Sequence, residues 1–119
     1  MKKTSPQYLA FVGDAVFDLI VRENLVRKFN EPVGKLNNKK IEKVCCQAQA
    51  KMIDLIFDEL TDEEKVIYKR GRNMHVSQIP KNASHEEYHK ATGFEVLLGY
   101  LYLSGNNKRI NEIMLRVLV

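Results

Sequence analysis

Apolar residues recur at helical spacing along almost the whole 119-residue chain, and no stretch alternates with period two between turn signals. An all-α fold follows. Ser5 and Pro6 open the first helix, with serine as N-cap and proline at the first helical position. The run from there to about Phe29 is crowded with apolar side chains (Leu9, Phe11, Val12, Val16, Phe17, Leu19, Ile20, Leu25), more than a single stripe requires. A central helix covered on several sides is therefore expected. Asn30-Glu31-Pro32 breaks the chain. Val33, Leu36, Ile41, Val44 and Ala48 then mark a second helix with a basic outer face (Lys35, Lys39, Lys40, Lys43), and Met52 to Leu60 continues the spacing, with room for a kink. Thr61 and Glu64 form a capping-box pattern ahead of a short helix through Val66, Ile67 and Tyr68. Gly71 to Asn82 is polar and irregular, the one long loop expected. Ser84 and Glu87 repeat the capping-box pattern before a strongly apolar helix that Gly105 ends, and Ile110, Ile113, Met114, Val117 and Leu118 mark a last helix.

One domain, residues 1–119, accounts for this length. A chain with 45% hydrophobic and 29% charged residues is an ordinary globular one. Lysine and arginine outnumber the acids 19 to 15, a net charge of +4 that permits a polyanionic partner without demanding one. Cys45 and Cys46 are adjacent, a spacing that suits neither an unstrained disulfide nor a zinc site, so they read as small apolar fillers in a reducing compartment. Met1-Lys2-Lys3 leads into Thr4-Ser5-Pro6-Gln7 rather than an apolar run, and no apolar stretch is long enough to span a membrane. A cytoplasmic location is expected.

Two acids stand where acids are costly. Asp14 lies in Leu9-Ala10-Phe11-Val12-Gly13-Asp14-Ala15-Val16-Phe17, and Glu95 in Thr92-Gly93-Phe94-Glu95-Val96-Leu97-Leu98-Gly99. An ionised carboxylate in such company needs a partner or a metal. A buried salt bridge is one solution. Against it, the nearest cation candidates, Arg22 and Lys90, fall on other turns, and Gly13 with Gly93 or Gly99 would let two helices approach until the acids converge. Two hard oxygen ligands at a water-accessible edge suit Mg²⁺, which takes few protein ligands and keeps several waters.

These residues carry a resemblance. The segment from Leu9 to Arg22 resembles the signature helix of the ribonuclease III family. Lys69-Arg70-Gly71-Arg72-Asn73, Pro80-Lys81-Asn82 and the run from Tyr88 to Leu103 resemble the family's minimal branch, which consists of the catalytic domain alone. The resemblance implies a homodimeric, Mg²⁺-dependent endonuclease for double-stranded RNA with no separate double-stranded-RNA-binding domain, acting on the precursor of 23S ribosomal RNA. By position, Asp14 and Glu95 match two metal-binding, catalytic carboxylates. Family members with the fuller acid set have further acids where this chain has Gln7, Ala10 and Thr92. Gln7 and Thr92 are then candidates to orient waters around the metal, and arginine would be expected where His89 stands.

Duplex RNA is met mainly through its phosphates and its shape. Lys69, Arg70, Arg72, Asn73 and Lys81, in and beside the long loop, are the expected contacts; the basic face over residues 35–43 is ambiguous. His85-Glu86-Glu87-Tyr88-His89 also fits the H-E-x-x-H zinc-peptidase pattern, with His85 and His89 as ligands and Glu86 as base. Its place at a capping box, between polar flanks, argues against that use. A non-cutting RNA-binding module is the other alternative, and the presence of both acids argues against it.

Overall fold

Pro6 starts the first helix, α1 (Pro6–Lys28), where its missing N–H costs no hydrogen bond. Ser5 occupies the N-cap, but its hydroxyl donates to the Gln7 side chain and makes no capping bond to the backbone. The computed structural model describes residues 4–75 and 78–118; the charged start at residues 1–3 and the middle of the expected loop, 76–77, lie outside the described residues. Five more α-helices follow: α2 (Val33–Val44), α3 (Cys46–Ile56), α4 (Asp62–Arg72), α5 (His85–Leu103) and α6 (Asn107–Val117). A short 3₁₀ turn (Phe57–Glu59) joins α3 to α4, and no strand occurs among the described residues. The all-α expectation holds.

The second helix, expected to run on through Ala48, is instead broken at Cys45, ahead of the place where a kink was expected. Cys45 is extended (φ −66°, ψ 156°) and separates α2 from α3. The Gln49 side chain donates to the carbonyl of Val44 across that break (2.9 Å), so an amide buried in α3 covers a helix end left open at α2. Cys45 and Cys46 are free thiols at this junction, and burial pushes the Cys46 thiol up.

Thr61 and Glu64 form the reciprocal capping box, with Glu64 N–H donating to Thr61 Oγ1 (3.1 Å) and Thr61 N–H to Glu64 Oε1 (2.9 Å). Helix α4 does not stop at Gly71, where the loop was expected to begin. It continues to Arg72, because Gly71 is a packing residue: a Cβ there would lie 2.7 Å from Val96. Gly105, at φ +78°, does end α5 as expected.

The centre of the fold is α5, which packs against α1, α3, α4 and α6. Phe94, Val96, Leu97 and Leu98 on it are fully buried. Helix α1 is less enclosed than its composition suggests. Its buried positions, Leu9, Gly13, Phe17, Val21 and Leu25, form one stripe at i+4 spacing, while Tyr8, Phe11, Leu19 and Val26 face outward. Phe11 is 81% exposed. The excess of apolar residues on α1 therefore makes a second face and not an all-round core contact. Helix α6 closes the far end with Ile110, Ile113 and Met114, and its Arg109 clasps the buried Glu64 carboxylate through Nε (2.8 Å) and a second nitrogen (2.9 Å).

Candidate active site

Glycine decides how closely α1 and α5 meet. A Cβ on Gly13 would lie 1.7 Å from the Glu95 carbonyl oxygen, and one on Gly99 would lie 1.9 Å from that of Leu9. The two helices thus touch backbone to backbone, which no larger residue permits. Of the alternatives Gly93 and Gly99, it is Gly99 that meets Gly13. Gly93 serves a second seam, where a Cβ would strike the ring of Tyr68 on α4 at 2.6 Å.

That contact carries Asp14, the next residue on α1, to the carboxyl of Glu95. The two side chains share a hydrogen bond. They differ in setting: Asp14 is exposed, and Glu95 is half-buried beneath it. The two acids, each expected in apolar company, thus prove unequal in burial. Burial, then the hydrogen bond and negative charge of Asp14, push the Glu95 carboxyl up to about 9. Two carboxyl groups at one spot cannot both be ionised cheaply, so at neutral pH the metal-free pair retains a proton. A divalent cation could take that proton's place. Among the described residues, no cluster of three or more potential metal-ligating acids, histidines or cysteines is present. A donor set of two carboxylate side chains fits Mg²⁺, with water completing its shell.

Neither candidate cation reaches the acids. Arg22 pairs with Asp18 (2.5 Å), and Lys90 bridges Asp54 (2.9 Å) and Glu86 (3.1 Å), so the salt-bridge solution is not the one adopted. Gln7 lies two turns before Asp14 on the same exposed face of α1. Thr92 is buried one turn before Glu95, and its hydroxyl donates to the Tyr88 carbonyl (2.9 Å), which leaves its oxygen free only to accept.

Most of the expected RNA contacts gather at one end of α4, and Lys81 lies in the loop. Lys69, Arg70 and Arg72 occupy the last turn of α4, Asn73 is its C-cap, and Lys81 is exposed on the loop that follows. Arg72 lies over the Tyr68 ring (5.8 Å) and donates to Asn73 Oδ1 (3.3 Å), while Arg70 donates to the Thr4 carbonyl (3.3 Å). Because Gly71 abuts Val96 and Gly93, this basic end is held against α5 beside the residue that bears the acid. His85 and His89 place their rings 6.4 Å apart, but Glu86 is held by Lys90, and no third metal-ligating partner joins them among the described residues. One contact had no signal in the sequence: Gln47, at the start of α3, donates to the Asn82 carbonyl in the loop (2.7 Å).

Residues 7–106, which include both acids, match the family model described as the ribonuclease III domain. The chain belongs to the ribonuclease III family. Within this family it is similar to a "Mini-ribonuclease 3" of Thermoanaerobacter sp. (strain X514), 46% identical over 110 residues that cover 92% of this chain and 78% of that protein. A second, from Clostridium tetani, is 41% identical and covers 96% of this chain and 76% of its own length. A third, from Staphylococcus aureus, is 32% identical, with 99% and 90% covered. A crystal structure of a Fusobacterium nucleatum protein superposes with a TM-score of 0.90 at 31% identity, spanning 98% of this chain and 93% of that one. As a ribonuclease III family member of the Mini-ribonuclease 3 branch, the protein is an endoribonuclease, and Asp14 and Glu95 sit within its matched domain.

Proposed function

We propose that this endoribonuclease cuts double-stranded RNA by Mg²⁺-dependent phosphodiester hydrolysis, with Asp14 and Glu95 as the catalytic carboxylates that hold the metal. The observation that carries this reading is their convergence across the Gly13–Gly99 contact, where burial and Asp14 together push the Glu95 carboxyl up. Mg²⁺, when bound, supplies positive charge for the phosphoryl oxygens and acidifies water. Asp14 would hold the cation with oxygens from the exposed edge, and Glu95, as a carboxylate, from the half-buried side. Thr92 accepts from water behind Glu95, and Gln7 does so from the exposed face of α1. Lys69, Arg72, Asn73 and Lys81 meet backbone phosphates, with Arg70 beside them; duplex shape rather than sequence is recognised. Hydrolysis with in-line attack leaves 5′-phosphate and 3′-hydroxyl ends.

The working form in this reading is a homodimer, in which a second copy covers the outward face of α1. That face carries an open groove of about 660 Å³ lined by Phe11, Val12, Leu19, Tyr102 and Ile110, and it reaches Asp14. Tyr8, Phe11, Leu19 and Val26, all exposed on this face, are apolar side chains that a second copy would take out of water. Two sites would then face one duplex and cut both strands. The proposed substrate is the precursor of 23S ribosomal RNA in the cytoplasm. The relatives' names support the enzyme class and the membership of the branch. Among the described residues, no helix is long and apolar enough to cross a membrane.

The test is cleavage of a long synthetic RNA duplex and of its separated strands, with Mg²⁺ and with chelator, followed by labelling of the product ends. Duplex-selective, Mg²⁺-dependent cutting with 5′-phosphate ends supports the reading. Binding without cutting in the presence of Mg²⁺ would return the RNA-binding alternative.

A further inference from the structure

Among the described residues 78–83 of the loop that carries Lys81, the hydrogen bond that reaches another element is the one Asn82 accepts from Gln47. Pro80 and Ala83 close a turn within it, through Ala83 N–H to the Pro80 carbonyl (3.1 Å), but that bond is internal to the loop. Gln47 reaches into it from outside: its side-chain amide donates to the carbonyl of Asn82 (2.7 Å), across 35 positions of sequence. Gln47 is itself well placed to act as a fixed point. It lies in the first turn of α3, directly after the break at Cys45, and α3 is anchored through buried Ala50, Met52, Ile53 and Ile56. Lys90 on α5 bonds to Asp54 on α3 (2.9 Å), so the element after the loop is referenced to α3 as well.

We infer that Gln47 is a positioning residue for RNA binding: its bond to Asn82 holds the neighbouring Lys81 where a duplex phosphate meets it. The inference rests on the reading of Lys81 as an RNA contact. An exposed lysine on an unanchored loop must lose conformational freedom when it engages a phosphate, and that loss weakens binding. A loop already tied by its backbone carbonyl has lost much of that freedom before the RNA arrives. Gln47 touches no RNA in this account, so its effect falls on substrate affinity and leaves the carboxylate chemistry alone.

Gln47→Met retains the length of the side chain and removes the donor, which separates the bond from packing. With a synthetic RNA duplex and saturating Mg²⁺, KM is expected to rise roughly threefold to tenfold, with kcat within about twofold of the parent. Amide hydrogen exchange over residues 78–83 should quicken, and the melting temperature should stay near that of the parent. In a Lys81→Ala background, which by itself raises KM, the Gln47→Met effect should largely disappear, because the two residues act through one contact. An unchanged KM for Gln47→Met, or a fall in kcat that tracks a loss of stability, overturns the inference. If Lys81→Ala leaves KM unchanged, the assignment of Lys81 to RNA fails first, and the role of Gln47 fails with it. Quickened exchange at 78–83 would then mark the bond as structural only.

Discussion

At the residue scale, everything turns on one carboxyl group that folds in an unfavourable setting. Glu95 is half-buried against Asp14, and its proton is held up to about 9 in the metal-free protein. The folded form therefore binds this proton more tightly than the unfolded chain, whose glutamate titrates near 4.5. The stability that this proton contributes is present in full below 4.5 and is lost as pH rises toward 9. Glu95→Gln removes the titration, so the metal-free variant should melt higher than the parent at pH 8 and lose less on going from pH 6 to pH 8. Paired thermal melts in chelator check this; a parent whose melting temperature rises over that interval relative to the variant would contradict it. Mg²⁺ should raise the parent's melting temperature more at pH 8 than at pH 6, since fewer protons then compete for the site. The sequence exposed both acids, since each stands out in an apolar run. Their unequal exposure was not legible there, because it depends on which face of α1 meets α5.

At the scale of elements, glycine and a buried ion pair do the positioning. Gly99→Ala drives a methyl group into the Leu9 carbonyl at the contact that brings Asp14 to Glu95. The helices must separate, at a cost of about 1–3 kcal/mol or more, and activity should drop with the loss of register between the acids. Urea denaturation and a cleavage rate on the same sample test this; a variant with unchanged stability and rate would contradict it. Arg109 offers a contrast, since it lies on α6 and clasps Glu64 on α4. Burial works to raise the Glu64 carboxyl, but the hydrogen bonds from Arg109 and Thr61 and the arginine's charge outweigh it and hold the group below its ordinary value. Its contribution is present above about 4.5 and falls away as pH drops through the lowered value. Arg109→Leu strands a buried carboxylate and should cost on the order of 2–4 kcal/mol near neutral pH, measurable by denaturant midpoint, with less loss in acid. Helix count, the capping boxes and the stop at Gly105 were readable from spacing and residue type. The run of α4 through Gly71 was not, because glycine there answers to Val96, a residue 25 positions away in sequence.

At the scale of the whole molecule, α1 has two jobs, and composition could not separate them. The i+4 stripe from Leu9 to Leu25 faces α5, while Phe11 and Leu19 face out. Both sets are apolar, so periodicity merges them into one dense helix that reads as wrapped on all sides. Only the packed arrangement shows that α5 is the central helix. Phe11→Glu places a charge on the outward face without touching the core. It should convert a dimer to a monomer in sedimentation velocity while leaving far-ultraviolet circular dichroism unchanged. A parent that sediments as a monomer at micromolar concentration would remove the dimer from the account. Gln47 belongs to this scale too: nothing near it in sequence suggests a link to Asn82, and only the fold joins them.

The central claim is that the Asp14–Glu95 pair, joined across a glycine contact, is the catalytic centre of this endoribonuclease. It is tested most directly by single-turnover cleavage of a long RNA duplex in Mg²⁺, comparing the parent with Asp14→Asn and Glu95→Gln, each first shown to be folded by circular dichroism. Both variants are expected to lose at least about a thousandfold in rate, some 4 kcal/mol of transition-state stabilisation, while still binding the duplex in Ca²⁺. A folded variant of either residue that cleaves at the parental rate would contradict the assignment.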